Sequence, residues 1–191
     1  MEAEAGSAVE RAQSGDSEAF RLLVEQHSRA IFRLAFRMTG NEHDAEDVVQ
    51  ETFLRAYKQL ARYEARSSFS TWLYRIASNY ALDLMRMRRR REEKRQRSTS
   101  EQQDILQTVP ELRPGPDRML YGDQVSKHVN AALDQLTPQE RTAFVLRHFE
   151  GLSIAEIGET LGTGDNATKH SIFRAVHKLR KALEPVVGTA R

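Results

Sequence analysis

The 191-residue sequence contains no cysteine, and this absence excludes several kinds of chemistry. Without thiols there can be no disulfide bond, no thiolate metal site and no cysteine nucleophile. Long apolar runs are also missing, since no stretch approaches the roughly 18 residues that a bilayer-spanning helix needs. Residues 1–20 lack the basic and apolar regions of a signal peptide. These absences predict a cytoplasmic protein with no direct membrane insertion.

Metal-binding and catalytic patterns are also lacking. The six histidines are scattered along the chain, and none forms a metal-like pair with nearby carboxylates on a common helix face. Glu92 and Glu93 lie in an arginine run and are better explained as charge partners. We therefore expect no metal, no cofactor and no catalytic residue. An enzyme that acts on nucleic acid has little support, and a protein that works by binding is favoured.

The charge of the chain is nearly balanced, with a formal net charge of +2, but its basic residues are clustered. Residues 85–97 hold eight basic and two acidic side chains. Residues 166–183 hold five Lys or Arg and no acid. Basic clusters on an otherwise balanced chain are typical of nucleic-acid binding.

Few prolines are present, and three of the five fall close together at Pro110, Pro114 and Pro116. The polar segment around them predicts a linker over 97–119 between an N-terminal domain and a C-terminal domain. Strand-like alternation bounded by turn residues is absent. The sequence therefore predicts an all-α protein of two small helical domains joined by a flexible linker, with domains over residues 1–96 and 120–191.

Helix boundaries are marked clearly in the N-terminal domain. Asp16 can cap a helix with an apolar stripe at three- and four-residue steps, and Gly40 can end it. Asn41 begins a second helix, which runs to about Leu60. We expect a third helix over residues 70–91.

The C-terminal domain has two capping boxes, which open at Thr137 and Ser153. Gly162 closes the short helix after the second box, and Pro185 is expected to stop the last helix. We expect helices over residues 120–136, 138–149, 154–161 and 166–183. The last two, separated by a tight turn, predict a helix-turn-helix.

The last helix should pack inward through Thr168, Ile172, Ala175, Val176 and Leu179. Its remaining face is basic and rich in hydrogen-bonding groups, which suits the major groove of DNA. The alternative is an ordinary helical hairpin with a solvated basic face. The face expected to be exposed comprises Ala167, Lys169, His170, Ser171, Phe173, Arg174, His177 and Lys178.

The helix over residues 41–60 has two distinct faces. Ala45, Val49, Phe53, Ala56 and Leu60 can pack inward. The spacing of Asp47, Gln50, Glu51 and Leu54 puts them together on another face. An acidic patch with an exposed leucine is a plausible docking surface for a basic helical partner, and a merely solvated acidic face is the alternative.

Aromatic residues begin the third helix, where Trp72 and Tyr74 lie near Asn79. Aromatics beside a basic helix can stack on unpaired bases. Packing in the core is the alternative, and it is favoured for Leu73 and Ile76. Arg86 and residues 88–91 then continue as a basic strip towards a DNA backbone, unless they form a solvated charge run.

Several segments, in the right order, resemble one known family. Residues 44–57 (DAEDVVQETFLRAY) resemble the polymerase-binding helix of bacterial RNA polymerase sigma factors, and residues 69–79 (FSTWLYRIASN) resemble their promoter-melting segment. Residues 136–141 and 152–157 resemble the start of their C-terminal domain. Two such domains with a short linker are similar to the extracytoplasmic-function type of sigma-70 factor, group IV.

This resemblance implies a set of roles and partners. The partners would be the largest and second-largest subunits of core RNA polymerase, promoter DNA and an anti-sigma factor. Polymerase binding would fall to Asp47, Gln50, Glu51 and Leu54. Capture of the −10 strand would fall to Tyr63, Trp72, Asn79, Asp83, Arg86, Arg88 and Arg89. Reading of the −35 element would fall to Asn166, Lys169, His170, Phe173, Arg174 and His177.

The chain departs from the family pattern at the turn before the last helix, where NATKHS stands for a common GTVKSR. Asn166 can replace glycine at a positive φ or act as a cap. Ser171 replaces an arginine and His170 a serine, so an unusual −35 sequence is expected.

The predicted linker, some 25 residues, can span at most about 80–90 Å when extended, which is the order of a −10 to −35 separation. A helix-turn-helix regulator with an N-terminal effector or dimerisation domain is the alternative function. The acidic helix and the aromatic-basic helix count against it, because a ligand-sensing domain needs neither.

Overall fold

The computed structural model describes residues 2–99, 129 and 131–188, and the regular structure among them is entirely helical. This confirms the predicted all-α fold class. Residues 131–134 are helical, whereas the rest of the helix expected over 120–136 and most of the predicted linker lie outside the described residues. The helices are α1 (Glu2–Gln13), α2 (Ser17–Thr39), α3 (Glu42–Gln59), a 3₁₀ turn (Leu60–Arg62), α4 (Phe69–Thr99), α5 (Pro138–His148), α6 (Ile154–Leu161) and α7 (Asp165–Gly188).

Side-chain caps set the helix boundaries in the N-terminal half. The Asp16 carboxylate accepts hydrogen bonds from the backbone N–H groups of Glu18 and Ala19 at the start of α2. Gly40 ends α2 at φ 69°, a left-handed conformation that glycine adopts without steric cost. Asn41 then caps α3 by accepting from the Asp44 N–H. The predicted boundaries of both helices are therefore confirmed.

Both predicted capping boxes are present in the C-terminal half. Thr137 accepts from the Glu140 N–H while the Glu140 carboxylate accepts from the Thr137 N–H. Ser153 and Glu156 make the same reciprocal pair at the start of α6. Each box satisfies two backbone donors that a helix start otherwise leaves unpaired.

The helices of the N-terminal half pack around one apolar core. Most of the apolar stripe expected on α2 is buried there, as is Leu73 of α4. The buried stripe residues are Leu23, Ile31, Leu34, Ala35 and Met38, whereas Phe20, Val24 and His27 are half-buried. On α3 the buried valine is Val48 and not the expected Val49, which is half-buried, because the core takes a neighbouring position of the same helix. The fully buried large side chains of this half are Leu23, Ile31, Leu34, Met38, Val48, Thr52 and Leu73.

The C-terminal half packs directly against this core. Val145, Leu146 and Ile157, from α5 and α6, belong to the same buried apolar cluster as the N-terminal helices. A smaller cluster joins Ala132 and Leu136 to the inner face of α7. The described helices therefore form a closed arrangement, in which α5 lies against α2 and α4 while α6 lies against α4.

Three helices differ from the sequence-based expectation. The first, α1, was not expected, and it packs on the core through Val9 and Ala12. The fourth runs on to Thr99, because Arg, Lys and Glu favour helix and the Arg89–Glu93 pair supports it, so residues 97–99 of the predicted linker are helical. The last continues to Gly188, so the expectation that Pro185 stops it is wrong. A proline removes one backbone hydrogen bond but does not by itself end a helix.

Within the described residues, no helix combines the length and apolar character needed to cross a bilayer.

Candidate polymerase and nucleic-acid interfaces

The acidic face predicted on α3 is accessible in the structure. Gln50 and Leu54 are exposed, Leu54 by 47%, and Asp47 and Glu51 are half-buried. The Glu51 carboxylate pairs with the guanidinium of Arg55 one turn later, at 2.6 Å. An exposed leucine among carboxylates offers a partner both apolar area and negative charge.

Tyr57, which was not among the residues predicted for this face, extends it. It lies three residues after Leu54, and 59% of it is exposed. Its ring packs edge-on against Phe20 of α2, with 5.0 Å between ring centroids. The three-residue step from Leu54 is the signal that could have identified it. The resulting surface, which we call the α3 face, comprises Asp47, Gln50, Glu51, Leu54 and Tyr57.

Three aromatic rings meet where the loop after the 3₁₀ turn enters α4. The Tyr63 ring lies 5.0 Å from Trp72 and 5.6 Å from Phe69, and Phe69 lies 5.5 Å from Trp72, between ring centroids. The Tyr63 hydroxyl donates to the Ser67 carbonyl at 2.7 Å, which closes the loop on itself. Burial raises the pKa of the Tyr63 phenol. The predicted residues Tyr63 and Trp72 are thus brought together.

An open cleft of about 730 Å³ lies beside this aromatic cluster. Tyr63 and Trp72 line it together with three arginines and two glutamates. Arg66 and Arg75 form ion pairs with these glutamates, Glu64 and Glu159 respectively. The combination of aromatic rings with several guanidinium groups suits a single-stranded nucleic acid, whose bases stack and whose phosphates are negative.

Asn79 and Asp83 lie further along α4 and are not part of the lining of this cleft. They are exposed, as is Arg86. Steps of four and three residues place all three on one face of the helix. The Asp83 carboxylate and the Arg86 guanidinium are 3.7 Å apart. The structure therefore keeps these residues on one surface but separates them from the aromatic rings by at least a turn.

Arg88 and Arg89 already have carboxylate partners. Arg88 forms an ion pair with Asp44 at the start of α3, and Arg89 pairs with Glu93 at 3.1 Å. Nine residues separate Arg88 from Asn79, which puts the two on opposite sides of α4. Arg88 is therefore directed at α3, away from the surface of Asn79, Asp83 and Arg86.

The outer face of α7 is exposed much as predicted. The inward side is formed by Thr168, Ser171, Ala175 and Leu179, with Ile172 and Val176 half-buried. Phe173 is 70% exposed, and its ring stacks on that of His177 at 6.4 Å. We call the following exposed set the α7 face: Asn166, Lys169, His170, Phe173, Arg174 and His177.

Two further expectations about α7 are wrong. Ser171 was expected on the exposed face, but it is 5% exposed and its hydroxyl donates to the Ala167 carbonyl. It lies three residues after Thr168 and four before Ala175, so it shares their inward face. Asn166 neither adopts a positive φ nor caps α7, since the helix already includes Asp165 and the Thr168 N–H bonds to the Gly164 carbonyl.

Glu140 connects the capping box of α5 with the α7 face. Its carboxylate lies 2.7 Å from the Lys178 ammonium and 3.8 Å from the Arg174 guanidinium. Burial by itself would raise the pKa of Glu140, but the hydrogen bonds from Lys178 and Thr137 outweigh it, and the pKa lies below its usual range. The sequence predicted Glu140 as part of the capping box that starts α5. Its ion pairs with Lys178 and Arg174 depend on tertiary packing.

The basic strip of α4 and the α7 face border a common cleft of about 490 Å³. Arg86, Arg89 and Arg90 line one side of it, and Arg174 lies on the other. In this closed arrangement, the two regions that were expected to contact different DNA elements line the same cleft.

Two segments of the chain match known families. Residues 23–91 match Sigma-70 region 2, and residues 128–179 match Sigma-70, region 4. The sequence is 40% identical to the ECF RNA polymerase sigma factor SigE of Mycolicibacterium smegmatis, over 84% of this chain and 60% of that one. It is 36% identical to the RNA polymerase sigma-H factor of Pseudomonas aeruginosa, over 95% of each chain.

A solved structure shows the same fold. CnrH, in complex with the cytosolic domain of CnrY, superposes with a TM-score of 0.66 and 26% identity over 93% of this chain and 96% of CnrH. The order of the two matched regions, the helical fold and the full-length similarity agree with one another. The chain belongs to the extracytoplasmic-function sigma factors of the sigma-70 family, group IV.

Proposed function

We propose that this chain binds core RNA polymerase and directs it to promoters by contacting DNA at two places. The α3 face docks on the largest subunit. The aromatic cleft and the exposed α4 surface hold the −10 strand once it is single-stranded. The α7 face reads the −35 element as duplex, and the C-terminal half also contacts the second-largest subunit.

One observation carries this proposal. Folding leaves three chemically different surfaces accessible, and they match three different ligands. The α3 face combines carboxylates with exposed Leu54, the cleft combines aromatic rings with guanidinium groups, and the α7 face combines cations with exposed Phe173. A regulator with a small-molecule sensing domain needs neither of the first two surfaces.

The closed arrangement must open for both DNA elements to be read. Arg86 and Arg174 line the same cleft, whereas sites some two and a half turns of duplex apart are separated by about 85 Å at about 34 Å per turn. The segment between Thr99 and Val129 is long enough in sequence to cover that distance when extended. Polymerase and DNA therefore select a form in which α5 and α6 have left α2 and α4.

A second protein partner is proposed by similarity to a solved complex. CnrH was solved bound to the cytosolic domain of CnrY, and its fold covers nearly all of this chain. By that similarity we propose an anti-sigma factor as a further partner of this chain.

Transcription with purified core polymerase tests the function directly. The protein and core polymerase are incubated with a library of promoter DNA, and run-off transcripts are sequenced. We expect initiation at a restricted set of promoters that share −10 and −35 elements. If core polymerase together with this chain starts no specific transcript, the proposed function is wrong.

A charge reversal on the α3 face tests the docking surface. Asp47→Lys should abolish the binding of core polymerase, while the binding of duplex −35 DNA by the same variant stays unchanged. Glu42→Lys is the matched control, because it makes the same charge change on an exposed part of α3 outside the α3 face. Equal loss of polymerase binding and DNA binding in Asp47→Lys would show that the docking surface is misplaced.

A further inference from the structure

The unexpected helix α1 ends on a residue that reaches the loop of the aromatic cleft. The side-chain amide of Gln13 donates two hydrogen bonds, one to the Leu60 carbonyl at 3.0 Å and one to the Tyr63 carbonyl at 2.8 Å. These carbonyls lie at the two ends of the 3₁₀ turn. One amide group therefore uses both of its hydrogens to hold the turn from which Tyr63 projects.

The position of Gln13 is itself fixed by packing. Val9 and Ala12 of α1 are buried in the core, which anchors the last turn of the helix. The Asp16 N–H donates to the Arg11 carbonyl, and the Arg11 guanidinium pairs with the Asp16 carboxylate at 2.6 Å. Since Asp16 also caps α2, the amide of Gln13 is held in a constant relation to the core.

The loop that Gln13 holds is closed at several further points. The Tyr63 hydroxyl donates to the Ser67 carbonyl, and the Ser68 hydroxyl accepts from the Thr71 N–H at 3.1 Å. Between them, Ala65 adopts a left-handed conformation with φ 54°, which is unfavourable for a residue with a Cβ. Such conformations persist only where the surroundings impose them. The backbone conformation of the loop is therefore held by its hydrogen bonds, and the Gln13 amide donates two of them.

We propose that Gln13 is a positioning residue for single-strand capture, acting through the Tyr63 loop. This inference rests on the proposed role of the Tyr63–Trp72 cleft at the −10 element. Gln13 fixes the backbone at Tyr63, and that backbone fixes the ring that stands 5.0 Å from Trp72. A loop held in this shape before DNA arrives loses less conformational entropy when it binds an unpaired base.

The experiment uses the full chain with and without core polymerase. Gln13→Glu keeps the size of the side chain but replaces its two donors with a carboxylate that faces two carbonyl oxygens. Gln13→Ala is a milder second variant that leaves both carbonyls open to water. Ser14→Ala is the matched control, because among the described residues the Ser14 hydroxyl bonds only to carbonyls of α1. Tyr63→Ala reports whether the cleft captures DNA at all.

Four quantities are measured for each variant. They are the affinity for a single-stranded −10 oligonucleotide, the rate of promoter opening with core polymerase, and the affinities for core polymerase and for duplex −35 DNA. Trp72 is the only tryptophan of the chain, so its fluorescence and its quenching by acrylamide report directly on the aromatic cluster. A purely structural role of Gln13 would not change single-strand binding selectively.

We expect Gln13→Glu to weaken single-strand binding about tenfold, equivalent to about 1.4 kcal/mol. Gln13→Ala should show a smaller loss, and both should alter Trp72 fluorescence, whereas polymerase and duplex binding stay unchanged. If Tyr63→Ala weakens capture and both Gln13 variants do not, the inference about Gln13 is wrong and the proposed function stands. If all three kinds of binding fall equally, Gln13 is only structural and the inference is also overturned. If Tyr63→Ala has no effect, the proposed −10 capture itself fails.

Discussion

Arg75 of α4 forms an ion pair with Glu159 of α6, and the pair joins the two halves of the chain at the edge of the aromatic cleft. Glu156, one turn earlier on α6, also interacts with the Arg75 charge and with the Thr71 hydroxyl. The C-terminal half therefore places carboxylates beside the surface that we assign to single-stranded DNA. If the proposed strand capture uses this cleft, it competes with the closed packing for Arg75.

Reversing the charge of Glu159 should favour the open arrangement. Glu159→Lys replaces an attractive contact with repulsion, and since exposed pairs contribute about 0.2–1 kcal/mol, a change of about 1 kcal/mol in favour of opening is expected. Small-angle scattering should show a larger radius of gyration, and single-strand binding should become tighter. Glu184→Lys, the same change at an exposed position of α7, is the control. An unchanged radius would mean that the pair does not hold the halves together.

Removing the buried arginine of α5 should separate the two halves more strongly. The Arg141 side chain is 5% exposed, and its Nε donates to the Arg37 carbonyl on α2 at 2.8 Å. Arg141→Ala leaves that carbonyl without its partner, and we expect a loss of about 1–3 kcal/mol of docking free energy. Thermal unfolding should then change from one transition to two. Arg147→Ala removes an arginine-to-carbonyl bond within the C-terminal half and should leave a single transition.

Acid should weaken the contact between α5 and α7 through Glu140. The pKa of Glu140 in the folded protein lies below its ordinary value of 4.5, so its contribution to stability is present above that pH and is lost as the pH falls through the folded-state pKa. Glu140→Gln lacks this contribution at every pH. Urea unfolding at pH 7 and pH 3.5 should therefore show a large difference between the two proteins at pH 7 and a smaller one at pH 3.5. If the two proteins differ in their free energy of unfolding by the same amount at pH 7 and at pH 3.5, the ionised Glu140 carboxylate does not stabilise this contact.

The inward position of Ser171 predicts that this residue does not read bases. Ser171→Ala should leave the affinity for −35 duplex DNA within about twofold, because the loss of a buried hydroxyl that bonds to its own helix changes little at the surface. Arg174→Ala, one turn of the α7 face away, should weaken binding by about 1–3 kcal/mol if it contacts a base with both guanidinium nitrogens. Electrophoretic mobility shifts on a set of −35 variants measure both. Altered sequence preference in Ser171→Ala would show that Ser171 faces the groove.

Local sequence signals predicted most of the fold. Asp16, Gly40 and Asn41 cap the helices at the predicted boundaries. Thr137 and Ser153 open the two predicted capping boxes. These features depend on bonds between residues two to four positions apart, so they can be derived from a short stretch of sequence. The grouping of Asp47, Gln50, Glu51 and Leu54 on one face of α3 follows from helix periodicity in the same way.

Other features needed the folded chain. Periodicity alone does not fix the rotation of a helix, so the sequence placed Ser171 outside and the core placed it inside, next to Thr168 and Ala175. Nor does it show which polar side chains will find distant partners. The Gln13 amide bonds to carbonyls 47 and 50 positions away, and Arg37 pairs with Glu150 across 113 positions.

The sequence by itself therefore determined the boundaries of α2, α3, α5 and α6, the family and the three chemically distinct surfaces, because caps, periodicity and motifs are local. Only the tertiary structure decided that the two halves lie closed against each other and that Gln13 holds the loop of Tyr63. Both depend on contacts between residues that are far apart in sequence, and such contacts form only when the apolar core brings their helices together.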